Sequence, residues 1–205
     1  MQKSYLFSDA HAHLDDTPTP SKLVKEAKLQ GIERIFSNSV DLASAEKLLS
    51  LAKENKEIKP CFGLHPVNLL QMQENEIRAC LEFVKKHAKN SSGIGEIGLD
   101  YKHAESAEQK LLQEKIFLQQ IQFAQEFGKS VSIHSRKSKE RILEILSEQK
   151  PERILMHWFI SNSEMLEKFL KLGCFFSVGP SVLYYSDVKK FAQKLPLENL
   201  VLETD

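Results

Sequence analysis

The 205 residues carry 28 lysines and arginines against 28 aspartates and glutamates, so the formal net charge is zero. This balance excludes a strongly basic coat for nucleic acid, although it allows a local basic patch. Hydrophobic residues make up 41% and charged residues 27%, as in ordinary globular proteins, and the length predicts one domain over residues 1–205.

Short apolar runs alternate along the chain with longer segments of helical periodicity. The runs predict eight β-strands, at residues 5–8, 34–37, 59–63, 93–97, 130–133, 154–156, 174–178 and 200–202. Helical spacing of apolar residues predicts helices around 42–52, 77–84, 112–123, 142–146 and 165–172. Asp41 is a good N-cap for the first of these helices, and Gly173 should end the last.

Alternation of strands and helices indicates a parallel sheet in an α/β fold. Eight such strands favour a closed (β/α)₈ TIM barrel over an open sheet, although this barrel usually takes about 250 residues. The shortfall lies after the eighth strand, because the chain ends at Asp205. The prediction is therefore a TIM barrel in which the final helical region is missing.

Three cysteines, at positions 61, 80 and 174, are odd in number and lack the spacing of a metal finger. The first residues contain no apolar run long enough for a signal peptide, and no run of 18 apolar residues predicts a membrane span. A cytoplasmic protein without a membrane segment is the resulting expectation. The sequence does not indicate an oligomeric state.

Two segments carry side chains typical of metal sites. His11 and His13 would project to the same face of a strand, which suits two imidazoles on one cation. The alternative is a pair of solvent-facing histidines at a strand end. Glu96 lies at the end of a glycine-rich apolar run, where a carboxylate is costly to bury unless it is paired or metal-bound. The alternative there is a structural salt bridge.

His134 and His157 each follow an apolar strand, and Asp205 ends the last strand. One such histidine alone is more often a satisfied polar residue than a ligand. Together, however, the six candidate ligands come from five strands and lie at their carboxyl-terminal ends, where (β/α)₈ barrels hold their active sites. Histidine with carboxylate favours Zn²⁺, Mn²⁺ or similar ions, whereas Mg²⁺ suits sites rich in carboxylate and water. Six ligands predict either two ions bridged by Glu96 or one ion with open positions.

Other side chains near these strand ends are candidate substrate contacts. His65 is predicted to contact the substrate, or alternatively to cap a turn. Arg136 could bind an anionic oxygen bidentately, or alternatively form a salt bridge with a loop carboxylate. Trp158 and Phe159 either frame the pocket or pack beneath it. Two further histidines are predicted to be surface residues: His87 and His103.

These motifs resemble those of the TatD family of metal-dependent deoxyribonucleases, within the amidohydrolase-like barrels. The matching segments follow the family's order with similar spacing, at residues 9–15, 63–66, 95–100, 134–136, 157–159, 177–180 and 202–205. The resemblance implies that one ion is surrounded by His11, His13, Glu96 and Asp205. It implies that a second is held by Glu96, His134 and His157, with Glu96 as the bridge.

The resemblance also implies hydrolysis of phosphodiester bonds in DNA, often exonucleolytic, with Mg²⁺ or another divalent ion. The ions would activate a water that Asp205 orients and deprotonates, while Arg136 and the ions offset phosphoryl charge and His65 holds a neighbouring phosphate. One alternative is an amidohydrolase acting on a small amide, lactone or phosphotriester. That chemistry often uses a carbamylated lysine where this chain has Glu96. Another is an inactive, truncated metal-binding protein.

Two departures from the family pattern stand out. The family usually has a small residue or Cys, then Phe and Ser/Thr-Gly, after the sixth-strand histidine, whereas residues 158–162 here read Trp-Phe-Ile-Ser-Asn. The family also continues past the terminal aspartate with a proline-containing loop and a further helix or two. We therefore expect exposed apolar outer faces on strands eight and one, and an Asp205 that is free to fray.

Overall fold

The computed structural model describes residues 6–205, so Tyr5 of the predicted first strand lies outside the described residues. Eight parallel strands follow one another in chain order across a single sheet. They are β1 (Phe7–Ala12), β2 (Ile32–Asn38), β3 (Ile58–Phe62), β4 (Gly93–Asp100), β5 (Ser130–Arg136), β6 (Ile154–Met156), β7 (Phe175–Val178) and β8 (Leu200–Leu202). The amide of Thr204 donates to the carbonyl of His11 at 3.2 Å, which brings the last strand back to the first. The sheet is a nearly closed barrel, and the predicted (β/α)₈ fold is confirmed.

Helices connect the strands on the outside of the sheet. They are α1 (Pro20–Leu29), α2 (Leu42–Glu54), α3 (Pro66–Leu69), α4 (Glu74–Ala88), α5 (Ala107–Glu126), α6 (Lys139–Gln149), α7 (Ser163–Lys171) and α8 (Ser186–Ala192). The five predicted helices correspond to α2, α4, α5, α6 and α7. The sequence pattern missed α1, α3 and α8, because they are short or bury few side chains: α1 buries only Val24. Asp41 caps α2 as predicted, accepting from the amide of Ser44 at 2.8 Å.

Three strands continue three or four residues beyond their predicted ends, and β2 continues one residue beyond, to Asn38. The predictions for β1, β4 and β5 stopped at residues 8, 97 and 133, whereas the strands reach Ala12, Asp100 and Arg136. Polar side chains interrupt the apolar pattern there, but backbone pairing continues between β4 and β5 as far as Asp100 and Arg136. The expectation that Glu96 lies at a strand end and that His134 follows its strand was therefore wrong, since both lie within strands.

Gly98 allows β4 and β5 to approach closely beside the candidate site. Its φ of +142° is rare for residues with a side chain, and an added Cβ would collide with the carbonyl oxygen of His134. The bare backbone at Gly98 thus lets the His134 strand lie directly against the Glu96 strand.

Aromatic packing anchors the segment that follows β6. Phe159 is only 2% exposed and contacts three other phenylalanines on α7, β7 and α8, with ring centroids 4.9 to 6.0 Å away. Of the two alternatives for this residue, packing beneath the pocket is the observed one. This cluster holds the backbone of residues 157–159 against the barrel.

Apolar side chains are exposed on the first and last strands, as expected. Phe7 is 47% exposed and Leu202 is 48% exposed. None of the helices within residues 6–205 combines the length and apolarity that a membrane span needs.

Replacing Ser106 by alanine should lower the free energy of unfolding by about 1 kcal/mol, the usual effect of losing an N-cap. The Ser106 hydroxyl accepts from the amide of Gln109 at 3.2 Å at the start of α5, and the Gln109 side chain accepts from the Ser106 amide. Urea unfolding measures the change. Ser147→Ala is the matched control, because this exposed hydroxyl bonds within α6 to Leu143 and caps nothing. Equal stability losses in both variants would contradict the capping role.

Candidate metal centre

Imidazole and carboxylate groups from six strands converge at the carboxyl-terminal side of the barrel. The six predicted ligands are all brought together there, and His65, which follows β3, joins them. The ligand atoms form three overlapping groups whose members lie within 4.8 Å of one another: His11, Glu96 and His157; His11, His13 and Asp205; and His65, Glu96 and His134.

The carboxylate of Glu96 lies at the middle of this cluster and is 3% exposed. Its Oε1 atom lies 2.6 Å from Nε2 of His157, 3.0 Å from Nδ1 of His134 and 3.3 Å from Nε2 of His65. Three imidazole nitrogens therefore surround one carboxylate oxygen.

The other oxygen of Glu96 faces a different set of groups. Oε2 lies 3.1 Å from Nε2 of His13 and 3.5 Å from Nε2 of His11. The same two nitrogens lie 3.1 Å and 3.4 Å from Oδ1 of Asp205. The carboxylate of Asp205, which was expected to be free to fray, lies against both histidines in this structure. The two oxygens of Glu96 thus belong to two separate donor sets.

The orientation of His13 leaves its inner nitrogen free to bind a cation. Nδ1 of His13 lies 2.9 Å from the backbone carbonyl of Asn38. A carbonyl only accepts, so Nδ1–H donates to it, and Nε2, which faces Glu96 and Asp205, is the nitrogen that would bind a cation. Hydrogen bonds of this kind fix the tautomer of metal-binding histidines.

Asp100 orients His134, a role that the sequence reasoning missed. Nε2–H of His134 donates to Oδ2 of Asp100 at 3.0 Å, which leaves Nδ1 facing Glu96. Asp100 is 1% exposed, and its other oxygen accepts from the backbone amides of Lys102 and His103. A signal was available, since Glu96 and Asp100 are four residues apart on one strand and so share a face.

The two histidines predicted to be surface residues are only partly so. The side chain of His103 is 44% exposed, but its Nδ1 lies 3.0 Å from Oδ1 of Asp100. His87 is half-buried and packs on Phe83, with ring centroids 4.3 Å apart. His103 thus belongs to the outer contacts of the centre, whereas His87 does not.

Replacing Asp100 by asparagine should reduce metal affinity by about 10- to 100-fold, the usual effect of removing a carboxylate that orients a metal-binding histidine. The kcat/KM for the expected metal-dependent hydrolysis should fall by a similar factor, about 10- to 100-fold. The amide keeps the shape but accepts the His134 proton more weakly. Equilibrium dialysis with Zn²⁺ or Mn²⁺ and initial-rate kinetics measure the two effects. Asp187→Asn, at an exposed position of α8, is the control. Unchanged affinity in Asp100→Asn would remove the orienting role.

Mutual attraction shifts the pKa values of the clustered groups. Burial favours the neutral imidazole of His11, but hydrogen bonds with Asp205 and Glu96 outweigh it and raise the pKa to about 9. Burial dominates at His157 and lowers its pKa to about 4. Burial also opposes ionisation of Asp205, yet hydrogen bonds from His11 and His13 hold its pKa below the usual range. Ionised carboxylates therefore face imidazoles throughout the centre.

The donor set fits a divalent cation. It combines imidazole nitrogens with carboxylate oxygens, which suits Zn²⁺, Mn²⁺ and related ions. Nδ1 of His157 is buried and has no hydrogen-bond partner among the described residues, and the nearest carboxylate oxygen, Oδ2 of Asp205, is 3.7 Å away. Buried polar atoms are normally satisfied, so this nitrogen, which faces Asp205 and not Glu96, has room for a water or another polar group.

A cavity of about 1000 Å³ opens above the centre. His65 lines it and also caps α3, because its Nδ1 accepts from the amide of Val67 at 3.2 Å. The turn-capping alternative is therefore observed, and the substrate contact stays a prediction. Arg136 lines the cavity and forms no ion pair with any residue in the range 6–205, which gives the salt-bridge alternative no support. Trp158 is 53% exposed on the cavity wall and frames the pocket.

Comparisons with known proteins agree with this geometry. The human protein named deoxyribonuclease TATDN3 is 28% identical, over 96% of this chain and 76% of its own length. The Bacillus subtilis metal-dependent hydrolase YabD is 30% identical, over 96% of this chain and 78% of its own. The crystal structure of the Escherichia coli TatD homologue YjjV superposes with a TM-score of 0.82 at 26% identity, covering 97% of this chain and 78% of that one. The family profile described as TatD related DNase matches residues 8–205, and the chain belongs to this family.

Proposed function

We propose that this chain is a metal-dependent hydrolase that cleaves phosphodiester bonds in DNA and holds two divalent cations, as Mg²⁺, Mn²⁺ or Zn²⁺. The observation that carries the proposal is the division of the Glu96 carboxylate, whose two oxygens face two different donor sets. A single-ion site would need one such set. Residues 1–205 act in this proposal as one catalytic domain.

The first cation is assigned to the donor set around Oε2 of Glu96, which contains His11, His13 and Asp205. The second is assigned to the set around Oε1, which contains His134 and His157. His65 faces Oε1 too, but 13% of its side chain is exposed to the cavity, and we assign it to an oxygen of the substrate.

Bound divalent cations supply Lewis acidity, which offsets charge on phosphoryl oxygens and makes water a better nucleophile near neutral pH. The side chain of Asp205 is 14% exposed, and its Oδ1 atom is occupied by His11 and His13. Oδ2 has no closer described partner than the nitrogen of His157 at 3.7 Å, so it can orient water and accept its proton. Arg136, exposed on the cavity wall, can bind a phosphate oxygen pair bidentately.

The cavity supports a nucleotide-sized substrate. Its volume of about 1000 Å³ lies at the top of the roughly 300–1,000 Å³ range of small-molecule pockets. The alternative amidohydrolase chemistry often relies on a carbamylated lysine as the bridge, whereas here the carboxylate of Glu96 lies between the two donor sets. A related human protein is named a deoxyribonuclease. A cytoplasmic location belongs to the same proposal, since the three buried cysteines are unpaired.

The test is hydrolysis by the metal-free protein after adding back Mg²⁺, Mn²⁺ or Zn²⁺ one at a time. Single-stranded DNA, a small amide, a lactone and a phosphotriester are offered in parallel, with and without EDTA. We expect metal-dependent cleavage of DNA and no cleavage of the other three substrates. Turnover of the amide or lactone without DNA cleavage would favour an amidohydrolase, and metal binding without any turnover would indicate an inactive protein. His87→Ala, remote from the centre, is the control for histidine loss.

A further inference from the structure

The only tryptophan of the chain stands beside the metal centre with its ring turned into the cavity. Trp158 follows directly after His157, whose Nε2 lies 2.6 Å from Oε1 of Glu96. Trp158 is 53% exposed, although both of its chain neighbours are buried, His157 at 6% and Phe159 at 2%. A large apolar ring is therefore displayed to solvent at the place where a substrate would lie.

The backbone under Trp158 is held in an unusual conformation. Its φ is +40°, in the left-handed region that bulky residues rarely adopt. Residues held in such conformations cluster at functional sites. Its amide donates to the hydroxyl of Ser177 on β7 at 3.3 Å. The next residue, Phe159, packs in the aromatic cluster. The fold holds this ring outward on a fixed base, so binding a partner would cost little ordering entropy.

Charge in the cavity wall gives little general attraction for nucleic acid. Outside the centre, the wall holds three basic and three acidic side chains: Lys47, Arg136, Lys139, Asp15, Asp16 and Asp41. Lys47 donates to the carbonyl of Asp15 and Lys139 to the carbonyl of Ile160, so each ammonium group is held at the wall but keeps its charge. Because these basic and acidic side chains are equal in number, the wall outside the centre has no net charge to attract phosphate, which leaves a role for contacts with the bases.

We propose that Trp158 stacks on the base of a nucleotide that flanks the scissile phosphate, an inference that rests on the proposed function. Aromatic side chains bind every base through its π-face, which suits an enzyme without sequence preference. The base lies one sugar away from the phosphate, and Trp158 directly follows His157 in the chain and lines the same cavity. Stacking on a base makes Trp158 a residue that positions the substrate against this wall of the cavity.

The experiment uses thymidylyl-thymidine, which has one phosphodiester bond, and two analogues that each lack one base. In the wild type, removal of the stacked base should lower kcat/KM about tenfold, the size of one base–aromatic contact. Removal of the other base should change it little. Trp158→Leu should lower kcat/KM about tenfold on the dinucleotide and leave the matching abasic analogue unchanged, whereas Trp158→Phe should keep most of the discrimination. Circular dichroism and thermal unfolding check that both variants fold.

Fluorescence of the single tryptophan gives a second readout that needs no variant and no turnover. In EDTA and in Mg²⁺, the dinucleotide should quench Trp158 emission, and a doubly abasic dinucleotide should not. Two results overturn the stacking and leave the proposed function intact. In the first, the wild type hydrolyses the dinucleotide and both abasic analogues with the same kcat/KM. In the second, Trp158→Leu lowers kcat/KM equally on all of these substrates. Absence of hydrolysis of both the dinucleotide and longer single strands with every metal overturns the proposed function, and the stacking with it.

Discussion

Replacing Glu96 by alanine should lower kcat/KM for metal-dependent hydrolysis at least about 1000-fold, because metal ions contribute several kcal/mol to transition-state stabilisation and each 1.36 kcal/mol is a factor of ten. Both donor sets lose a member in this variant, since Oε1 faces His134 and His157 while Oε2 faces His13. A site with two independent ions would lose only one of them. Steady-state kinetics with saturating Mg²⁺ or Mn²⁺ measures the loss.

Two further variants separate this effect from damage to the fold. Glu96→Gln keeps the side-chain volume and one oxygen but loses the charge, and it too should lose most activity. Glu82→Ala replaces an exposed glutamate on α4 and should behave like the wild type in activity and thermal unfolding. Full activity in Glu96→Ala would rule out Glu96 as the bridge and with it the two-cation assignment.

Removing the metal should abolish hydrolysis and also lower the melting temperature, and both should return when the cation is added back. A ligand at 100 times its Kd adds about 2.7 kcal/mol to the native state. For a domain of this size each kcal/mol shifts Tm by about 2–4 °C, so we expect a shift of roughly 5–10 °C. The physical reason is that the ligands come from strands far apart in the chain and converge only in the folded barrel. Calorimetric scans of the EDTA-treated and reloaded protein measure it.

The same scans on Glu96→Ala provide the control, because a variant without the bridge should gain much less from the cation than the wild type. An equal rise in Tm for both proteins would place the stabilising ion elsewhere in the molecule. No rise in the wild type at millimolar Mg²⁺, Mn²⁺ and Zn²⁺ would contradict a cation bound by these groups.

Local pattern was enough to predict the barrel and to choose the clustered residues. Alternating apolar runs and helical periodicity are short-range properties, so eight strands and the main helices could be read from them. Strand ends were harder, because His11 on β1 and His134 on β5 are polar residues whose side chains belong to the metal-binding groups. Polar side chains inside a strand break the pattern by which a strand is recognised.

The sequence by itself determined the fold class, the family and the set of residues that meet at the carboxyl-terminal side of the barrel. Only the tertiary structure decided how they meet. It showed that the two oxygens of Glu96 face different histidines, that Asp100 holds His134, and that Phe159 packs inward while Trp158 turns outward. These features depend on backbone torsions and on contacts between residues distant in the chain, such as His11 with Asp205. The spacing of residues along the sequence predicts neither the torsions nor these contacts.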